Sequence, residues 1–432
     1  MMTDMRTMLR EDDMPSEWYN IIPELPFDLP PATSPTTGYP IGPHDLTDLF
    51  PEELANQELD RERRTIKVPD PVRELYRLWR PTPLFRARRF EEALDTPARI
   101  YYKYEGTSPS GSHELNTAVP QAFYCKQEGV KRMTTGTGAG EWGTALAMAC
   151  KFFNMKCKVH MVRLSYERKL YGRIMMDIWG AEVVPSPAQP SARGKKDGSA
   201  ASTAETSLGV AISEAASEAM GDADTKYSLG SVLNHVVLHQ TVIGLEARKQ
   251  MEIAKSYPDI VIGCVGGGSN FAGLAFPFIR DSLKKKRSRF IAAEPEAVPS
   301  LTGGKYAYDY PDTSGVMPML KMHTLGHDFV PPPIRAGAMR YHGMSPVVSA
   351  LYDNEVIEAV AFGQDDVLEA AILFAHSEGI VPAPESAYAI KAAVVEALAC
   401  KAAKQSKVIL FALNAHGYFD LEAYSEHLAR KA

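Results

Sequence analysis

Two glutamates set beside runs of small residues are where this sequence could do chemistry. Glu114 lies in Ser110-Gly-Ser-His-Glu-Leu-Asn116, and Glu141 closes Gly136-Thr-Gly-Ala-Gly-Glu141. Small residues bring the backbone in close. A carboxyl enclosed there rises in pKa and can serve as a general acid or base. His113, next to Glu114, is a candidate proton shuttle. For Glu141 the plainer reading is a carboxylate at a helix N-terminus, stabilised by the helix dipole. A third run, Gly266-Gly-Gly-Ser-Asn270, follows the largely apolar stretch 259–265. A strand passing through glycines into a helix leaves backbone N–H groups unpaired around a concavity, which suits a phosphate or carboxylate. A tight structural turn is its competing reading.

Each run needs a strand to deliver it and a helix to carry the chain away. The aromatic run Ile100-Tyr-Tyr-Lys-Tyr104 reads as a buried strand before Glu114, with a helix over 116–128. Strands at 132–135, 157–162 and 181–185 alternate with helices at 141–153 and 166–179. The second half repeats the rhythm: helices at 235–256, 271–283, 365–378 and 386–404, and strands at 259–265, 289–294 and 407–413. This alternation predicts an α/β fold of two open, mainly parallel-sheet domains, with ligand at the carboxyl ends of the strands. The expected division is an N-terminal arm and helix over 1–80, an α/β domain over 81–235 and a second over 236–432. The Pro-rich segment 15–50 reads as an extended arm wrapped over another surface. Residues 186–207, rich in Pro, Ser, Ala and Gly, read as a mobile lid or as surface slack. Residues 300–345 read as irregular.

Composition narrows the class. A chain of 432 residues with 45% apolar and 23% charged residues is ordinary for a globular enzyme. A net charge of −6 argues against nucleic acid and anionic membrane as partners. The basic run Lys284-Lys-Lys-Arg287 reads as the solvated end of a helix. Five scattered cysteines without a Cys-x-x-Cys pair suggest reduced thiols, no disulfide framework and no metal site. No apolar leader and no membrane-length run is visible, so a cytoplasmic location is expected.

The motifs around Glu114, Gly136, Gly266 and Asn414 resemble those of the tryptophan synthase β subunit family, in particular its second, longer clade. The resemblance covers the chain from about residue 15 onward and implies the fold of type II pyridoxal-phosphate (PLP) enzymes. In that family the Gly266–Asn270 equivalent holds the cofactor phosphate, and the Gly138-Ala-Gly140 loop holds the amino-acid carboxylate. Substrate contacts are implied for Gly138, Ala139, Gly140, Asn116, Glu378 and Asn414, and anion binding for Gly266, Gly267, Gly268, Ser269 and Asn270. Four positions depart from the family pattern. The residue at 114 is lysine in the family and holds the cofactor covalently; here it is Glu114. Gly136 stands for a glutamate, Glu141 for a glutamine and Asn414 for a serine. A homodimer is implied by the family, with a separate α subunit less expected for the longer clade.

Without that lysine, the resulting expectation is an enzyme that requires no cofactor, leaving noncovalent PLP open. Its expected substrates are tryptophan or an indole amine and an aldehyde or 2-oxo acid. These would join by a Pictet–Spengler-type condensation to a tetrahydro-β-carboline. Such chemistry needs orientation, an acid to expel water and a base to take the ring proton. Glu114 and Glu141 are the candidates, His113 the shuttle, and Asn270 and Asn414 hydrogen-bonding partners. Two alternatives stand beside it: a PLP-dependent β-replacement lyase of the tryptophan synthase β type (or its engineered lysine variant), and a non-catalytic ligand-binding descendant.

Overall fold

Apolar, β-branched runs make the central strands. Ile260–Cys264 and Val408–Leu413 are buried along their whole length and pair in parallel, Ile260 opposite Ile409. The computed structural model describes residues 5–188, 207–285 and 288–431. Around these two strands forms a seven-stranded sheet in the order Arg6–Thr7, Leu84–Arg86, Arg99–Tyr104, Val408–Leu413, Ile260–Cys264, Arg289–Pro295, Glu358–Phe362. Its first two pairings, through Leu84–Arg86, are antiparallel and the rest parallel. A second sheet has four parallel strands, Glu182–Ser186, Lys156–Val162, Arg132–Thr137 and Thr225–Tyr227. Buried strands need both faces covered. The helix Pro384–Ala403 packs on the larger sheet and Leu208–Met220 on the smaller.

The expected segment 81–235 contributes strands to both sheets. Leu84–Arg86 and Arg99–Tyr104 belong to the larger sheet, because Ile100 and Tyr102 carry their apolar side chains into its core. The N-terminal segment packs as a wrapping arm: Trp18, Tyr19 and Ile21 are buried, and Tyr19 N–H donates to Thr241 Oγ1 at 2.9 Å. Two expected helices are each divided. The run 235–256 forms Asn234–Gln240 and Val242–Ile253, with a turn at Thr241, whose hydroxyl donates back to Leu238 O at 2.6 Å. The run 166–179 forms Arg163–Arg168 and Leu170–Ile178, broken at Lys169, whose backbone leaves the helical region at φ −96°, ψ 69°. Within 300–345, read as irregular, Lys305–Asp309 and Leu320–Thr324 pair as an antiparallel ribbon. Most of the expected lid, 189–206, lies outside the described residues, as does the end of the basic run at 286–287. Among the described residues, no helix is long and apolar enough to cross a membrane, and all five cysteines are free and buried.

Candidate active site

Five chain segments leave the carboxyl ends of strands and meet around one pocket. They supply His113 and Glu114, Gly136 to Ala139 with Glu141 and Trp142, Leu229 to Ser231, Gly266 to Asn270, and Asn414. The pocket has a volume of about 650 Å³, counting the solvent at its mouth. A crevice at the carboxyl ends of parallel strands is the usual ligand position in open α/β sheets.

The loop carrying His113 and Glu114 is tied to the loop after the last strand. His113 N–H donates to Asn414 O at 2.9 Å, and His416 N–H donates to Gly111 O at 3.1 Å. Gly111 has φ +81°, and a Cβ there would meet the His416 ring at 2.2 Å, so only glycine lets the loops close. His113 Nε2 lies 3.2 Å from Ser269 Oγ, while its Nδ1 is buried without a partner. Burial pushes the His113 pKa down to about 4, so the imidazole is neutral at pH 7.

The glycine run forms one end of the pocket. A Cβ on Gly266 would meet Ala338 O at 2.9 Å, and Gly268 sits at φ +98°. The helix Ser269–Lys285 begins here, and its first two residues, whose N–H groups have no partner within a helix, line the pocket. Asn270 Nδ2 donates to Cys264 O at 3.4 Å, and its Oδ1 is buried without a partner. Asn414 Oδ1 accepts from Ser386 Oγ at 2.6 Å.

Carboxyls make the other end. Glu385 Oε1 accepts from Ala338 N–H at 3.0 Å, while Glu385 Oε2 and Glu114 Oε2 are buried without partners. Burial raises the Glu114 pKa well above its ordinary value, and Glu141 and Glu385 add to the rise. Burial and the Glu141 charge push Glu385 up to about 8. Glu141 is also raised by burial, against the pull of Lys169. The break in the helix at Lys169 brings its ammonium 2.6 Å from Asp420 Oδ1 and 3.7 Å from Glu141 Oε1. Burial works against that ammonium, but Asp420, Glu141 and Glu385 outweigh it and raise its pKa. Glu141, Glu385 and Asp420 each place an oxygen within 4.8 Å of the others, and the lysine sits against this cluster.

Most of the expected site residues converge. His113, Glu114, Gly138, Ala139, Glu141, Gly266, Gly267, Gly268, Ser269, Asn270 and Asn414 all line the pocket. Three do not. Gly140 caps the helix Glu141–Phe152 at φ +107°. Asn116 is fully buried elsewhere, donating to Glu105 and Gln240 at 3.1 Å and accepting from Arg80 at 2.8 Å, because the first turn after Glu114 rotates it away. Glu378 ends the helix Gln364–Glu378 and accepts Phe90 N–H at 3.0 Å, outside the pocket. Lys169, Asp420 and Trp142 escaped the sequence reading. The helix break at Lys169 has no sequence signal, since its neighbours are good helix formers.

With this geometry in place, the comparisons with known proteins take on meaning. The family described as "Pyridoxal-phosphate dependent enzyme" matches residues 75–414. The chain belongs to that family. It is 56% identical to tryptophan synthase β chain 2 of Aquifex aeolicus, over 98% of this chain and 98% of the relative. It is 51% identical to the tryptophan synthase β chain of Pyrococcus horikoshii, over 99% of this chain and 93% of the relative. Its fold matches a fungal L-serine ammonia-lyase from Rhizomucor miehei with TM-score 0.60 at 15% identity, covering 81% of this chain and 98% of that one. Serine racemase from Dictyostelium discoideum matches with TM-score 0.56 at 17% identity, covering 80% of this chain and 96% of that one. The chain therefore has the α/β architecture of type II PLP enzymes.

These findings correct two expectations. The family match and the identity along almost the whole chain overturn the Pictet–Spengler-type condensation as the function. They also overturn the reading that no cofactor is required, and the glycine cradle gives the physical reason. The cradle provides backbone donors, a helix N-terminus and the Ser269 hydroxyl, and so fits a cofactor phosphate. Among the described residues no lysine or arginine lines the pocket. Lys169 is held by Asp420, and Lys103 is buried 2.7 Å from Glu246 in a separate network.

Proposed function

We propose that the chain is a PLP-dependent lyase of the tryptophan synthase β type, acting on small amino-acid and indole substrates. The observation that carries this reading is the 56% identity to a tryptophan synthase β chain over 98% of both chains. The preserved phosphate cradle supports it. When bound, PLP supplies an electron sink for chemistry at an amino acid's α and β carbons. The chain's own residues would do the rest. Gly266 to Ser269 would hold the phosphate through backbone N–H groups, and Gly138 and Ala139 would present backbone to the amino-acid carboxylate. His113, neutral and next to Ser269, would orient that hydroxyl.

Within this reading Glu114 occupies the place of the family's cofactor lysine, and the cofactor is held without a covalent bond. The relatives are named β chains, which does not support the expectation of a homodimer working without a second kind of subunit. A cytoplasmic location, suggested by the free thiols, belongs to the same reading.

The test is a PLP titration followed by absorption, then borohydride reduction and intact mass, with indole and L-serine assayed for tryptophan. Saturable binding, no mass gain in the natural chain and a gain of one reduced cofactor in Glu114→Lys are the expected results. A covalent adduct on the natural chain would show that another lysine serves. Absence of PLP binding would overturn the reading altogether.

A further inference from the structure

Cys264 ends the strand Ile260–Cys264 and lines the pocket, 4% exposed. Its thiol lies between the two asparagines of the pocket wall. Asn270 Nδ2 is 3.4 Å from Cys264 O and 3.3 Å from Cys264 Sγ. A backbone carbonyl only accepts, so the amino group of Asn270 points at the strand end. Its Oδ1 is the other end, buried and without a partner, on a residue that lines the pocket and is 4% exposed. Cys264 Sγ, receiving from Asn270, gives its own proton to Asn414 Oδ1 at 3.4 Å. Burial and, after it, the Glu385 charge push the Cys264 pKa up to about 12, so the thiol keeps that proton. Ser386 acts from the other side. Its hydroxyl accepts from Ala415 N–H at 3.3 Å and donates to Asn414 Oδ1 at 2.6 Å. With its oxygen engaged twice, Asn414 has its Nδ2 amino group left for the pocket it lines.

This wall therefore offers one acceptor, Asn270 Oδ1, and one donor, Asn414 Nδ2, both set by one thiol. An unpartnered buried oxygen of this kind calls for a donor from outside the protein. The pyridine ring of PLP carries a matching pair in its nitrogen and its hydroxyl. Two tautomers are open to it. One has an acceptor nitrogen and a hydroxyl donor; the other is a zwitterion, with a protonated nitrogen and an ionised oxygen. Asn270, Cys264, Asn414 and Ser386 are all neutral, and among the described residues no lysine or arginine lines the pocket to face an ionised ring oxygen. Burial penalises charge left without such a partner. We propose that Cys264 is a positioning residue for the cofactor: it fixes both asparagines so that the PLP ring is held by one donor and one acceptor, in its uncharged tautomer. This rests on the PLP-dependent reading above.

The experiment is a PLP titration of the natural chain, Cys264→Ala, Cys264→Ser and Ser386→Ala, read by equilibrium binding and by the absorption of the bound cofactor. The uncharged tautomer absorbs at shorter wavelength than the zwitterion, so the natural chain should show a single short-wavelength band. Cys264→Ala should bind PLP roughly fivefold more weakly, the loss of one neutral hydrogen bond. It should also show both bands, because the two amides are free to turn over. Serine donates and accepts as the thiol does, so Cys264→Ser should restore the single band and an affinity within about twofold of the natural chain. Ser386→Ala frees Asn414 from the opposite side, leaves the thiol in place and should give a weaker form of the same mixture. An unchanged band and affinity in Cys264→Ala, or equal losses in the alanine and serine variants, would reduce the thiol to filling space and overturn its positioning role while PLP binding stands. A natural chain whose bound PLP absorbs as the zwitterion would overturn it as well. No PLP binding by the natural chain would sink the cofactor reading, and the role of Cys264 with it.

Discussion

Two buried charge clusters flank the segment from Lys103 to Asn116, and their contrast explains how the site is built. The first joins Arg80, Lys103, Glu105 and Glu246, all with fully buried side chains. Its two cations and two anions balance. Arg80 reaches Glu105 at 2.7 Å and Glu246 at 2.9 Å, while Lys103 reaches Glu246 at 2.7 Å and Gln250 at 2.9 Å. Asn116 closes the network, so the residue two places after Glu114 is fixed by charge-assisted bonds. The pocket cluster is the reverse, with surplus carboxyls, unpartnered oxygens and raised pKa values. One cluster is satisfied by the protein and acts as scaffold, and the other is left with unpartnered oxygens on residues that line the pocket. Unsatisfied buried polar groups concentrate where a protein has a use for them.

The largest expected effect breaks the satisfied cluster. Arg80→Ala strands two buried carboxylates with Lys103 as their only cation, and breaking a buried ion network in this way costs about 3–5 kcal/mol. Urea denaturation of Arg80→Ala against the natural chain reads this directly. A loss under about 1 kcal/mol would show that the network rearranges or takes up water, and the contrast between the clusters would collapse.

The unsatisfied cluster is expected to show itself through pH. The folded-state pKa of Glu385 is raised from an ordinary 4.5 to about 8. The folded protein therefore binds more protons than the unfolded chain between those values. Stability from this group is fully present below about pH 4.5 and is lost as pH rises through about 8. The natural chain should lose on the order of 2 kcal/mol between pH 6 and pH 8 relative to Glu385→Gln, whose side chain does not titrate. Parallel stability curves for the two proteins would show that Glu385 stays ionised, compensated by Lys169.

How much of this was legible in the sequence follows from what each feature depends on. The strands and the glycine run are written locally: 260–264 is apolar throughout, and three glycines before Ser269 admit few other conformations. The convergence of Glu114, Glu141, the cradle and Asn414 followed from one rule, that loops at the carboxyl ends of parallel strands share a crevice. The helix Leu208–Met220, placed after a stretch read as slack, and the edge strand Glu358–Phe362 carry weak signals: the first is rich in alanine, the second only half-buried. The partners of Glu141 were hidden for a different reason. Lys169 and Asp420 are 251 positions apart, and only the tertiary fold brings them together. The expectation of a cofactor-free enzyme failed because four departures around one pocket, at 114, 136, 141 and 414, do not outweigh a whole-chain likeness.

The smallest expected effect is the sharpest test of the contrast, because one substitution made in both clusters should have two outcomes. Glu105 is held low, to about 2, with burial opposing and Arg80 and Lys103 prevailing, so it is ionised at pH 7. Glu105→Gln removes a charge that two cations need and should cost roughly 3 kcal/mol. Glu114 is pushed well above the usual carboxylate range by burial and by Glu141 and Glu385, which favours its protonated form. An amide of the same shape then replaces an uncharged acid, and Glu114→Gln should leave stability within about 0.5 kcal/mol of the natural chain. Denaturation midpoints of the two variants, taken at pH 7, decide the matter. A loss above about 2 kcal/mol in Glu114→Gln would mean that Glu114 is ionised and already holds a cation, and the pocket would then be a second satisfied cluster. Near-zero cost at Glu114 beside a large cost at Glu105 would place the difference in what each carboxyl is for, one holding the loop and the other waiting for ligand.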